Sequence, residues 1–362
     1  MMKNLIILVA AAVVLTACGG TDNGPDDGFD RTTMLTSLAD GLIIPSYNEL
    51  DSDVAALESA VTSLTAAPSP ANLNAAQVAF VASAMSFQWV VSYDFGPADN
   101  VFGDLDDVVG TFPANSSVID SRILTGDTTT ADFQHDVRGF AALDYLLFGG
   151  DNTALVDVLQ GAEGANRRAY LNSIVRHLRT NVQRVSTAWS TYRSEFINRN
   201  GTDVGSSSSV LFNSMNMSHE LAKNFKVGLP GGFRAGQVSP EPRRVEAYYS
   251  GISTDLLREH VKAIRSIWEG RNKDGQSLTG FRAWLTKVPG GDRLIVDTET
   301  QLDVVQTSLE NLGSSKLADL CDQRDSRVNT LHTELQKLTR FYKSELSSLL
   351  GLSITYSSGD GD

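Results

Sequence analysis

Residues 171–196 read LNSIVRHLRTNVQRVSTAWSTYRSEF, and Leu171, Ile174, Leu178, Val182, Val185, Trp189, Tyr192 and Phe196 recur at steps of three and four. That period puts all eight on one face of an α-helix and leaves His177, Arg176 and Arg179 off the seam. The run predicts a single bundle helix of about 30 residues. A long helix with one apolar face needs other helices to cover it, and the same period returns on both sides. Upstream it covers residues 32–43, 45–64 and 70–93; downstream, 210–227, 254–268, 278–288, 294–312 and 324–350. Alternating strand patterns are scarce, so the expected class is all-α.

The breaks between these runs have local causes. Proline disfavours helical backbone at the residue before it, so Ile44-Pro45 predicts a kink or a fresh start. In Ala67-Pro68-Ser69-Pro70, Ser69 is placed to cap a helix and Pro70 to occupy its first turn. Phe95-Gly96-Pro97 closes that helix, and residues 100–113 form a Gly- and Asp-rich loop without helical period. Its Asp104, Asp106 and Asp107 lack the regular spacing and terminal Glu of a calcium loop. Residues 228–242 make a second long loop, of the kind that is functional or mobile in a compact domain. A chain of 362 residues exceeds what one core usually holds. We therefore expect two helical units, residues 31–155 and 156–362.

The chain opens Met1-Met2-Lys3-Asn4 and runs apolar from Leu5 to Ala17, the charged start and short apolar core of a secretory signal. It ends Leu15-Thr16-Ala17-Cys18, the bacterial lipoprotein cleavage pattern. Cys18 is thus the expected lipidated first residue, and the membrane, reached through that lipid, the expected partner. The predicted location is the cell envelope, at the outer membrane facing the periplasm or at the cell surface. Residues 18–30, with four Gly and four Asp, read as a tether. With Cys18 committed, Cys321 is left as a lone, buried thiol. The formal net charge of −13 argues against nucleic acid and favours a cationic ligand.

One acid stands out. Residues 138–151 are the most apolar stretch of the mature chain, with Phe140, Leu143, Leu147 and Phe148 at helical spacing and Gly149-Gly150 as a stop, yet Asp144 sits in their middle. A carboxylate there must be paired, hydrogen-bonded, protonated or bound to a ligand. The polar stripe Asn213, Asn216, Glu220 and Lys223, opposite an apolar side of Leu211, Met215, Met217 and Leu221, reads first as a solvated face and second as a cavity lining.

Residues 138–151 resemble the signature of the imelysin-like family of bacterial envelope proteins, Gly-x-His-x-x-Glu followed by an aromatic, two leucines, an aromatic and Gly. Gly139, Tyr145, Leu146, Leu147, Phe148 and Gly149 match, but Ala141 replaces the His and Asp144 the Glu. Ile44-Pro45-Ser46-Tyr47, Phe95-Gly96-Pro97, Glu246 ahead of Tyr249-Ser250, and residues 351–356 are similar to other family motifs; Val91 stands where many members carry Glu. The resemblance spans roughly residues 35–362. It implies two facing helical bundles with the altered motif near their junction, and a role in iron or other metal uptake, beside the peptidase activity of the founding label.

His and Glu at i and i+3 bring two ligands about 5–6 Å apart at Cβ, which suits a metal ion. Ala141 removes the imidazole. The candidate ligand-binding residues are Asp144, Arg138, Glu220, Lys223 and Glu246, and the candidate metal ligands Asp144, His135 and Glu246. Arg138 is six residues from Asp144, on another side of the helix, and is expected to pair elsewhere. His177, His219, His260 and His332 form no ligand spacing, so catalytic zinc is disfavoured. No catalytic residue is assigned, and a metal ion is the one candidate cofactor. The sequence favours a binding or accessory protein for a small cationic or metal-containing ligand; a metallopeptidase and a membrane-tethered interaction scaffold are the alternatives.

Overall fold

The structure is a computed structural model and describes residues 27–162 and 164–356. The signal segment, Cys18 and most of the expected tether lie outside the described residues. Among those described, no strand forms, and no helix is long and apolar enough to cross a membrane.

The first bundle begins with α1 (Arg31–Leu38), a π turn (Ala39–Ile43) and α2 (Ile44–Ala66). Pro45 does not break this rod. Its missing N–H falls where the π turn has already widened the ladder, which absorbs the defect without a new helix start. Next comes α3 (Pro70–Phe87), capped as expected by Ser69, whose Oγ accepts from Asn72 N at 3.3 Å. After a loop containing a π turn (Asp106–Gly110) come α4 (Ser116–Thr125), α5 (Gly139–Phe148), α6 (Asn152–Gln160) and α7 (Gly164–Asn198). All eight residues of the 171–196 seam except Tyr192 are fully buried. They lie mainly along α2 and α5.

The expected division at 155/156 falls inside α6 and parts α7 from α2, so the first bundle runs to Asn198. The second bundle comprises α8 (Ser207–Glu220), a π stretch (Leu221–Gly228), α9 (Leu229–Gly231), α10 (Ser253–Glu269), α11 (Phe281–Leu285), α12 (Gly291–Asn311), α13 (Leu317–Asp322), α14 (Ser326–Thr339), a π turn (Arg340–Glu345) and α15 (Leu346–Leu350). One continuous buried apolar cluster runs through both bundles. Cys321 is buried and unpaired, its thiol pushed up to about 12 by that burial.

Two readings are corrected here. Residues 27–30 are docked: Phe29 stacks on Trp284 with ring centroids 5.5 Å apart, Trp284 Nε1 donates to Asp27, and Asp30 caps α1. Phe29 is the single aromatic in the Gly- and Asp-rich stretch, and burying it offsets the cost of ordering its neighbours. The polar stripe of α8 is not solvated; Glu220 is 7 % exposed and Lys223 1 %, whereas Met217, assigned to the apolar side, is 52 % exposed. Each polar group is met inside the fold. Asn213 holds the chain's last described segment, donating to Ser353 O at 3.0 Å and accepting from Thr355 N at 2.9 Å, and Glu220 pairs with Lys223 at 2.8 Å.

Candidate functional site

A cleft of about 480 Å³ opens where α5, the segment leading into α4 and the turn before α10 meet. Its floor carries Ala141 and Asp144 from α5, and its wall Arg243, Glu246, Tyr248 and Tyr249.

The position of α5 is fixed by two neighbours of the motif. Gly139 adopts φ +69°, and a Cβ there would lie 2.1 Å from the Val109 carbonyl oxygen, so only glycine fits this turn. Arg138, 1 % exposed, ties the start of α5 to the preceding loop through Asp132 Oδ1 at 2.7 Å and Asp132 O at 2.8 Å. It pairs away from Asp144, as its spacing predicts, and does not line the cleft.

Asp144 is 2 % exposed and accepts two backbone hydrogen bonds, from Tyr249 N to Oδ2 at 2.8 Å and from Ser250 N to Oδ1 at 3.0 Å. These N–H groups are available because residues 246–250 form a turn and the helix begins only at Ser253, within one residue of the sequence expectation. Burial raises the Asp144 pKa above the ordinary carboxylate value, opposed by the Ser250 side chain and the two backbone donors.

Glu246 reaches inward. Its Oε2 lies 2.8 Å from Lys226 Nζ and its Oε1 accepts from Gln88 Nε2 at 2.8 Å, while Lys226 also donates to Gln88 Oε1 at 2.5 Å. Behind this cluster, Ser92 donates to Ser218 at 2.7 Å, and Ser218 Oγ lies 2.6 Å from Nε2 of the fully buried His260. Burial, then the charges of Lys226 and His219, hold that imidazole well below its usual pKa. Asp106 faces the same ammonium; burial raises its pKa to about 6, with Lys226 opposing and Glu246 adding to the rise.

The structure thus brings together Asp144 and Glu246 and leaves the other candidates apart. Glu220 and Lys223 form their own buried pair along α8, with Asn224 Nδ2 donating to Glu220 Oε2 at 2.7 Å. His135 is not among the cleft residues; its charge bears on His177, whose pKa is held to about 4 by burial and by Arg138. Sequence reading does not single out Gln88, Lys226 or Arg243. For Lys226 a sign exists, a second lysine three residues after Lys223 in an otherwise mainly apolar helix.

The sequence profile of the family described as Imelysin (peptidase M75) matches residues 43–341. The chain belongs to the imelysin family. It is similar to "Iron-regulated protein A" of Synechococcus elongatus, 24 % identical over 277 residues that cover 73 % of this chain and 70 % of the relative. In fold it is similar to a crystal structure assigned as an iron-regulated protein A precursor from Parabacteroides distasonis, with TM-score 0.73 and 17 % identity over 91 % of this chain and 97 % of the other. An imelysin-like protein from Psychrobacter arcticum gives TM-score 0.69 and 16 % identity over 90 % and 97 %.

The donor set at the altered imelysin motif does not fit a divalent metal. Ala141 offers no ligand atom, both oxygens of Asp144 accept backbone N–H groups, and Glu246 is engaged by an ammonium and an amide. Among the described residues no three His, Cys, Asp or Glu side chains converge as metal ligands.

Proposed function

We propose that this imelysin-family chain is a lipid-anchored envelope protein that binds a small ligand in the cleft above Ala141 and Asp144, and serves iron uptake as a non-catalytic accessory component. The observation that carries this reading is Ala141 on the cleft floor. The signature imidazole is replaced by a methyl group, which removes the group that a peptidase mechanism would use. The link to iron is supported by the curated relative named iron-regulated protein A, and the anchor by the cleavage pattern ending at Cys18.

A thermal-shift screen of the purified protein against iron chelates, sugars and amino acids tests the cleft. At least one ligand is expected to raise the melting temperature, and the rise should disappear in Ala141→Phe, which fills the floor. Ligands that stabilise both proteins equally, or none that stabilises the wild type, would overturn the reading. Mass spectrometry of the envelope fraction should find acyl chains on Cys18, and Cys18→Ser should release the protein from it.

A further inference from the structure

The acids that line the cleft are already engaged by the protein itself. Asp144 accepts from two backbone donors, and Glu246 lies against the Lys226 ammonium and accepts from Gln88. Asp136, also at the cleft, accepts from Asn115 Nδ2 at 3.1 Å. The cations on the wall stand differently. Arg244 pairs with Glu241, at 2.5 Å in a half-exposed pair of the kind that contributes little. Among the described residues Arg243 has no carboxylate partner. Its exposed guanidinium lies 5.4 Å from the centroid of the Tyr248 ring, a cation–π contact that leaves its N–H groups for an oxygen ligand.

We propose that the cleft takes a small multivalent oxyanion, gripped by Arg243 and Arg244 against Tyr248, and not a bare metal cation. The proposal rests on the cleft being the ligand site and specifies the class of ligand: a metal would arrive already wrapped in carboxylate or similar oxyanion donors, as a negatively charged chelate. Lys226 is central to this selectivity. Its ammonium occupies the position next to Glu246 where an incoming cation would otherwise be drawn, so that carboxylate is already neutralised from within the fold.

Calorimetric titration of the purified protein with citrate, ferric citrate, inorganic phosphate and zinc chloride separates the cases. At least one of the three oxyanion probes is expected to bind, with affinity falling at least tenfold in Arg243→Ala/Arg244→Ala while the melting temperature stays unchanged. Which of them binds distinguishes a carboxylate from a phosphate ligand. Zinc is expected to bind only to Lys226→Met, in which the internal cation is gone; should that variant fail to fold, the arginine variant still decides. Zinc binding to the wild type and lost in Asp144→Ala would overturn the proposal, as would oxyanion binding indifferent to both arginines, or no oxyanion binding at all. In that last case a neutral or cationic ligand found in the thermal-shift screen, and blocked by Ala141→Phe, would leave the cleft as a site and refute its preference for anions.

Discussion

Asp144 and Glu220 are both carboxylates buried within helical bundles, and the fold accommodates them in opposite ways. Asp144 is held by two backbone N–H groups of a turn in the second bundle, with no cation paired to it among the described residues. Glu220 is held by Lys223 one turn further along the same helix stretch. The first arrangement joins distant segments and shapes a cleft; the second is local and only makes a polar stripe tolerable inside the core. Glu246 combines the two, since it belongs to the cleft turn and meets Lys226 from the π stretch that continues α8. The comparison teaches that the charge on an acid says little about its role until its donors are known.

The sharpest way to break the comparison is to remove a lysine. Lys226→Ala leaves Glu246 buried without its cation, and removing one partner of a buried pair costs about 3–5 kcal/mol. Chemical denaturation should show a loss of that size, and a loss under about 1 kcal/mol would mean that water replaces the ammonium readily. Asp144→Ala removes an acceptor from two backbone donors, and about 1–3 kcal/mol is expected. Hydrogen exchange should accelerate at Tyr249 and Ser250 in this variant while the amides of α8 remain protected.

A smaller effect concerns pH. Asp106 has a folded pKa of about 6, above the roughly 3.9 of an unfolded aspartate. The folded state therefore binds the extra proton between these values, and the group's contribution to stability falls as pH rises through that window. The charge of Lys226 opposes that rise and those of Glu246, Asp107 and Asp104 add to it, while Asp106 in turn helps to raise Asp94. Asp106→Asn should melt about 2 °C above the wild type at pH 7, with the difference vanishing near pH 4. A difference independent of pH would contradict the assignment. The smallest effect is at Met217, where replacement by Ser should change stability by no more than about 0.5 kcal/mol because the side chain is half-exposed.

These contrasts also mark what could be read from the sequence. The helical class and the long seam of α7 were legible because apolar periodicity reports burial directly. The caps at Ser69 and the break at 67–70 were legible because the residue types have fixed backbone preferences. The stripe on α8 was not: polar residues at helical spacing look the same whether they face water or one another, and only tertiary structure buries the Glu220–Lys223 pair and supplies Ser353 as a partner for Asn213. The need for a partner at Asp144 was readable from its apolar surroundings, but the partners proved to be backbone groups, which no side-chain pattern reveals. Lys226 and Gln88 escaped for a related reason, since they come from separate bundles and are brought to each other and to Glu246 only by the fold.

The account's central claim is that the altered imelysin motif uses its acids internally and no longer offers them to a metal ion. Elemental analysis of the protein purified without chelators, followed by titration with ferrous iron and zinc, tests it most directly. The account predicts far less than one equivalent of metal and no saturable binding to the wild type. One equivalent bound to the wild type and lost in Asp144→Ala would contradict it.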